Sequence, residues 1–188
     1  MSILDKYNVK ATFFVTNLNP GYQFLIKEAH DRGHTIGLHS YTHRYADIYA
    51  SEEAFYSDLD KIAKLVKEKI GYVPSFIRFP GGSSNTVSKS YQAGIMTALT
   101  KSIQEKGYQY YDWTVSSGDG ALKISKSKLI KNAVKGSGNA IVLLLHDAAK
   151  KEKLIDALPK IIKHYKKSGY TFKKIDKKSY APHHNIYN

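Results

Sequence analysis

Along this chain, short apolar runs rich in β-branched and aromatic residues alternate with longer stretches of helical periodicity, and no other feature constrains the fold as much. KATFFV (10–15), HTIGLH (34–39), SFIRF (75–79), YQYYDW (108–113), AIVLLLH (140–146) and GYTFKK (169–174) read as strands. YQFLIKEAHDRG (22–33) reads as a helix ended by glycine. The stretch 51–70 puts Phe55, Leu59, Ile62, Val66 and Ile70 on one apolar face, behind a Ser51 cap and before a Gly71 stop. Further helices are expected at 91–107, at about 125–135 and at 151–167. Such alternation argues for parallel strands, in an open sheet or an α/β barrel. The opening MSILDKYNVK reads as the tail of a helix that runs straight into the first strand.

At 188 residues the chain suits one domain, 1–188, large enough to bury a core unaided. It has no cysteine, which excludes thiol catalysis, disulfides and Cys-zinc sites. The longest apolar run, AIVLLL, is too short for a membrane span, and no signal peptide is visible. Of the net charge of +13, residues 1–120 carry +1 and residues 121–188 carry +12. A basic half suits nucleic acid, an anionic membrane or an anionic wall polymer. Here the excess is all lysine along amphipathic helices, the pattern of a solvated face. The three arginines, the residue type that reads base edges, lie in the first 120 residues, so no nucleic-acid partner is expected.

Reactive side chains gather just past the strand ends, where the loops of an α/β barrel converge on an active site. His39 and His43 follow one strand, four apart, with the hydroxyls of Ser40 and Thr42 near them. That spacing serves surface or capping histidines as well as ligands; as ligands, two imidazoles suit zinc, cobalt or nickel and want a third protein donor. Arg78 opens RFPGGSSN (78–85), a turn in its own right, in which Gly81 could bring its N–H close to an oxyanion and Arg78 could orient a carboxylate. Asp112 and His146 end two later strands, and together suggest a carboxylate keeping an imidazolium ready as general acid. Trp113 and Leu144 beside them read equally as pocket walls or as ordinary core.

Taken in order, H-S-x-x-H, R-x-P-G, D-W and L-x-H resemble motifs two to five of the NodB-type polysaccharide deacetylases, carbohydrate esterase family 4. The resemblance implies a distorted (β/α) barrel and a divalent metal, usually zinc, with cobalt or nickel as alternatives. It implies hydrolysis of N-acetyl groups on an aminosugar polymer, peptidoglycan or chitooligosaccharide, by a secreted or cell-surface parent protein. Carried over by position, His39 and His43 would hold the metal and Arg78 would orient the base. Gly81 would offer the oxyanion N–H, Asp112 would tune the acid His146, and Leu144 with Trp113 would line the acetyl pocket.

One part of the pattern has no counterpart. The family's first motif is a Thr-Phe-Asp-Asp strand end that supplies the base and a third metal ligand, and this chain contains no Asp-Asp pair. Asp58 and Asp60 sit on a helix, pointing apart, and do not replace it. The expectation is therefore a barrel without its first strand, a site short of one protein ligand, impaired turnover, and an open sheet edge beside KATFFV that invites self-association. The second reading is a degenerate deacetylase that binds glycan without hydrolysing it, and the third is a polyanion-binding module built on the lysine-rich half.

Overall fold

The computed structural model describes residues 1–121, 123–148 and 151–188. Two compact units emerge, one formed by Thr12–Asp112 with Ile175–Asn188 and the other by Met1–Ala11 with Trp113–Lys174. In chain order the elements are α1 (Ser2–Lys6), β1 (Thr12–Thr16), α2 (Phe24–Asp31), β2 (Thr35–Ser40), α3 (Tyr45–Ile48), α4 (Glu52–Ile70) and β3 (Phe76–Ile77). They continue with α5 (Ile95–Glu105), β4 (Gln109–Tyr110), β5 (Val115–Ser116), α6 (Lys126–Ala133), β6 (Leu143–Leu144) and α7 (Glu152–Lys167). The α/β class and the parallel pairing expected from the alternation are both present.

In the first unit the strands form one sheet, β1-β2-β3-β4, with every described pair parallel. All four C-terminal strand ends therefore lie along one edge, and the loops that leave them are neighbours. Two-residue ladders in β3 and β4 are shorter than the apolar runs around them. Helix α4 forms as its periodicity predicts. Ser51 Oγ accepts from Ala54 N–H at 3.1 Å, Gly71 closes the helix in the left-handed region, and Phe55, Leu59, Ile62 and Val66 are buried. Each such side chain contributes about 1.5–3 kcal/mol on burial. Asp58 is buried on the same face.

The sheet leaves no room for a side chain at Gly37. A Cβ there would stand 2.6 Å from the Phe14 ring, so only glycine in β2 lets that ring lie flat across it. Among the described residues β1 pairs with β2 alone and stands at the end of the sheet order. The C-terminal segment meets the sheet through hydroxyl groups: Ile175 N–H donates to Thr12 Oγ1 at 2.8 Å and Thr35 Oγ1 donates to the Ile175 carbonyl at 2.7 Å.

The second unit pairs β5 with β6 in parallel and packs α6 against α7. Leu129, Ala133, Leu154, Ala157, Ile161 and Tyr165 form its core. GYTFKK, expected as a strand, joins no ladder among the described residues. Its alternation was a true burial signal, because Tyr170 and Phe172 pack on this core, Tyr170 edge-on to Tyr165 at 5.5 Å. The face they cover belongs to helices rather than to a neighbouring strand.

Candidate active site

The HSYTH loop is built on a carboxylate from α4. Asp58 Oδ2 accepts from Ser40 Oγ at 2.6 Å and from Tyr41 N–H at 2.7 Å. Its Oδ1 accepts from Thr42 N–H at 2.9 Å and from Thr42 Oγ1 at 2.8 Å. Ser40 Oγ in turn accepts from His43 N–H at 2.8 Å. This grip holds His43 at φ 53°, in the left-handed region that side chains with a Cβ rarely occupy. The strained turn brings the His43 ring centroid to 5.0 Å from that of His39.

His39 is oriented from the other side, by the strand next to its own. Its Nδ1 lies 2.6 Å from the Arg78 carbonyl. A carbonyl only accepts, so Nδ1 carries the proton and Nε2 presents its lone pair. Metal-binding histidines are commonly oriented this way. Two adjacent imidazoles, one with its tautomer set by a carbonyl, fit a divalent ion as part of its donor set. Among the described residues no third His, Cys, Asp or Glu joins them.

Arg78 lies across the Phe14 ring, with its guanidinium carbon 4.5 Å from the centroid. Its Nε donates to the Tyr111 carbonyl at 3.0 Å and its Nη2 to the Asp112 carbonyl at 3.1 Å. Burial pulls its pKa down to about 10, partly offset by the Asp112 charge, so it stays cationic at neutral pH. After it, Gly82 N–H donates to the Phe79 carbonyl at 2.8 Å and closes a turn in which Gly81 has a φ of +80°, and a Cβ there would stand 2.6 Å from Tyr45 Oη. Glycine at this position is required by both conformation and space.

Asp112 was expected to serve His146, and its observed partners are different. Its carboxylate is buried and accepts from Ser83 N–H at 2.8 Å, from Ser83 Oγ, and from His184 N–H at 2.9 Å. It ties the PGGSS turn and the C-terminal segment to the end of β4. The carboxylate on His146 is Asp119. His146 Nδ1 lies 2.9 Å from Asp119 Oδ1, and His146 N–H donates to Oδ2 at 2.7 Å. Ser117 Oγ donates to Oδ1 at 2.8 Å. Burial works against ionisation of Asp119, but these donors outweigh it and hold its pKa below the usual carboxylate range. His146 itself is about half exposed, with 47% of its side chain accessible, and so can meet a ligand. Leu144 is buried on β6 and Trp113 is half-buried at the start of the second unit.

Sequence reasoning therefore set Asp58 aside as a helix residue without a part in the site, and missed Asp119. Asp58 did leave a signal, being a charge three residues after Phe55 and four before Ile62, on the apolar face of its helix. Asp119 lies in SSGDG, a turn-like stretch that carries no periodicity to mark it.

Known proteins share this arrangement of elements. The family model described as polysaccharide deacetylase matches residues 1–98. The crystal structure of the catalytic domain of a peptidoglycan N-acetylglucosamine deacetylase from Eubacterium rectale superposes with a TM-score of 0.95 at 46% identity, covering 100% of this chain and 86% of that one. A polysaccharide deacetylase from Bacillus cereus superposes at 0.81 with 27% identity, covering 97% and 86%. Two peptidoglycan-N-acetylglucosamine deacetylases of Bacillus cereus are 28% and 31% identical over 97% and 92% of this chain. The chain spans 65% and 76% of their lengths respectively. With the histidine loop, the arginine turn and a carboxylate-bound histidine at the ends of β2, β3 and β6, these likenesses place the chain in the polysaccharide deacetylase family.

Proposed function

We propose that this chain is the deacetylase body of a protein that removes N-acetyl groups from an aminosugar polymer, of which peptidoglycan N-acetylglucosamine is the best-supported substrate. The observation that carries the reading is the His39–His43 pair, held by Asp58 on one side and by the Arg78 carbonyl on the other. Two similar proteins are named peptidoglycan N-acetylglucosamine deacetylases, which supports the substrate class.

His39 and His43 would hold a divalent ion, zinc, cobalt or nickel. When bound, that ion would polarise the acetyl carbonyl and acidify water. Arg78 stays cationic and fixes the Tyr111–Asp112 backbone beside the histidine loop. Gly81 has the conformational freedom to aim its N–H at an oxyanion. Asp119 holds the Nδ1 side of His146, which would leave Nε2 to deliver a proton to the departing amine. Trp113 and Leu144 are apolar surfaces suited to an acetyl methyl group.

These residues contain an acid and two metal donors but no Asp-Asp pair, so turnover by these 188 residues should be slow, below about a hundredth of that of a relative with a carboxylate base. Among the described residues no helix is long and apolar enough to cross a membrane. A wall polymer is met outside the cell membrane, which favours an exported parent protein. The test is acetate release from an N-acetylglucosamine pentamer with zinc, with cobalt and with chelator, alongside titration of the pentamer. Metal-dependent release lost in His39→Ala supports the deacetylase. Metal-independent binding with no release supports the glycan-binding alternative, and neither binding nor release refutes both.

A further inference from the structure

The loop that leaves β1 carries a feature that the proposed chemistry does not use. Leu18, Tyr22, Phe24 and Leu25 are 58%, 61%, 59% and 37% exposed, an unusual concentration of apolar surface within eight residues. Contiguous apolar patches on soluble proteins mark ligand or partner sites more often than scattered ones do. The Tyr22 and Phe24 rings stand 6.3 Å apart at 38°, close enough to act as one platform. From Asn17 to Ile26 the segment holds no charge, in a chain of net charge +13. Its polar residues are amides, Asn17, Asn19 and Gln23, with Gln23 Nε2 bonded to Asn17 Oδ1 at 2.7 Å.

This platform belongs to the same sheet edge as the histidines. In the register of the parallel pair, Thr16 at the end of β1 stands opposite Ser40, the residue after His39. One residue further, Asn17 N–H donates to the Tyr41 carbonyl at 3.2 Å, inside the HSYTH loop itself. The aromatic loop is thus hydrogen-bonded to the loop that presents the candidate metal donors.

We propose that Tyr22 and Phe24 form a sugar-stacking subsite that holds a neighbouring pyranose of the polymer while an N-acetyl group lies at His39 and His43. The inference rests on the deacetylase reading and extends it to how a chain longer than one sugar is held. A β-linked aminosugar presents flat faces of C–H bonds, which suit the electron-rich faces of aromatic rings, and its hydroxyls suit amide side chains. A polyanion would find no cation in the segment, and a purely aliphatic partner would not need paired rings. The rings are exposed, so truncating them leaves the fold intact.

The experiment is calorimetric titration of the 188-residue protein with an N-acetylglucosamine hexamer, for wild type, Tyr22→Ala/Phe24→Ala, Tyr22→Leu and Tyr22→Phe. Tyr180→Ala, at a residue 57% exposed on the C-terminal segment, is the control. The double variant is expected to raise Kd about ten-fold, Tyr22→Leu to weaken binding, and Tyr22→Phe to stay within about two-fold of wild type. Wild type that binds the hexamer as tightly as the double variant overturns the subsite alone. A change of oligomeric state in the double variant with sugar affinity unaltered does the same, and identifies the patch as a self-association surface. Wild type that binds no hexamer overturns both the subsite and the deacetylase reading.

Discussion

Replacing Asp58 by Asn tests whether a single carboxylate from α4 builds the histidine loop. The carboxylate takes two donors on each oxygen, Ser40 Oγ and Tyr41 N–H on Oδ2, Thr42 N–H and Oγ1 on Oδ1. Asparagine keeps one oxygen and turns an NH2 towards the other pair. The hydroxyl of that pair can rotate and accept, but the backbone N–H cannot, so one amide loses its acceptor at about 1–3 kcal/mol. The remaining bonds also lose their charge assistance, which brings the total to about 2–4 kcal/mol. His43 at φ 53° depends on the same grip through Ser40, so its ring should lose its fixed place beside His39. Cobalt affinity should then fall about 10–100-fold, as for the loss of other supports behind a metal ligand. Urea unfolding by circular dichroism and amide exchange of Tyr41, Thr42 and His43 read the first effect, and a cobalt titration reads the second. A stability change under about 0.5 kcal/mol with unchanged amide protection would refute the reasoning.

Gly81→Ala should disrupt the arginine turn, because its Cβ meets Tyr45 Oη at 2.6 Å and its φ is +80°; adding Tyr45→Phe should restore part of the loss, read as recovered thermal stability. Arg78→Lys should cost about 1–3 kcal/mol in urea unfolding, since one ammonium cannot serve both carbonyls and cover the Phe14 ring. Asp119 is held below its ordinary pKa of 3.8, so the stability that its ionised form adds is fully present above that value and is lost as pH falls through the lower folded value. Asp119→Asn should therefore show a smaller stability difference between pH 7 and about pH 3 than wild type. Fluorescence of Trp113, the single tryptophan, reports this from the same unit.

Periodicity alone identified α4, its Ser51 cap and its Gly71 stop, because these depend on neighbours within a few residues of the chain. It also located β1, β2 and the reactive positions at strand ends, since burial on a sheet leaves a pattern in the residues themselves. GYTFKK shows where that information ends: the spacing of Tyr170 and Phe172 says that one face is covered, but not whether by strand or helix. The partners of the charged groups were beyond it altogether. Asp58 serves a loop sixteen to eighteen residues before it, Asp119 serves His146 twenty-seven residues on, and Asp112 serves Ser83 and His184. Several carboxylates of this sequence could have taken each role. Which one did so was decided by the chain path that brought it within hydrogen-bonding distance, and by the cost of burying a carboxylate with no donors. The sequence by itself determined a parallel α/β chain with histidines, arginine and aspartate at its strand ends; tertiary packing alone decided which carboxylate holds which histidine.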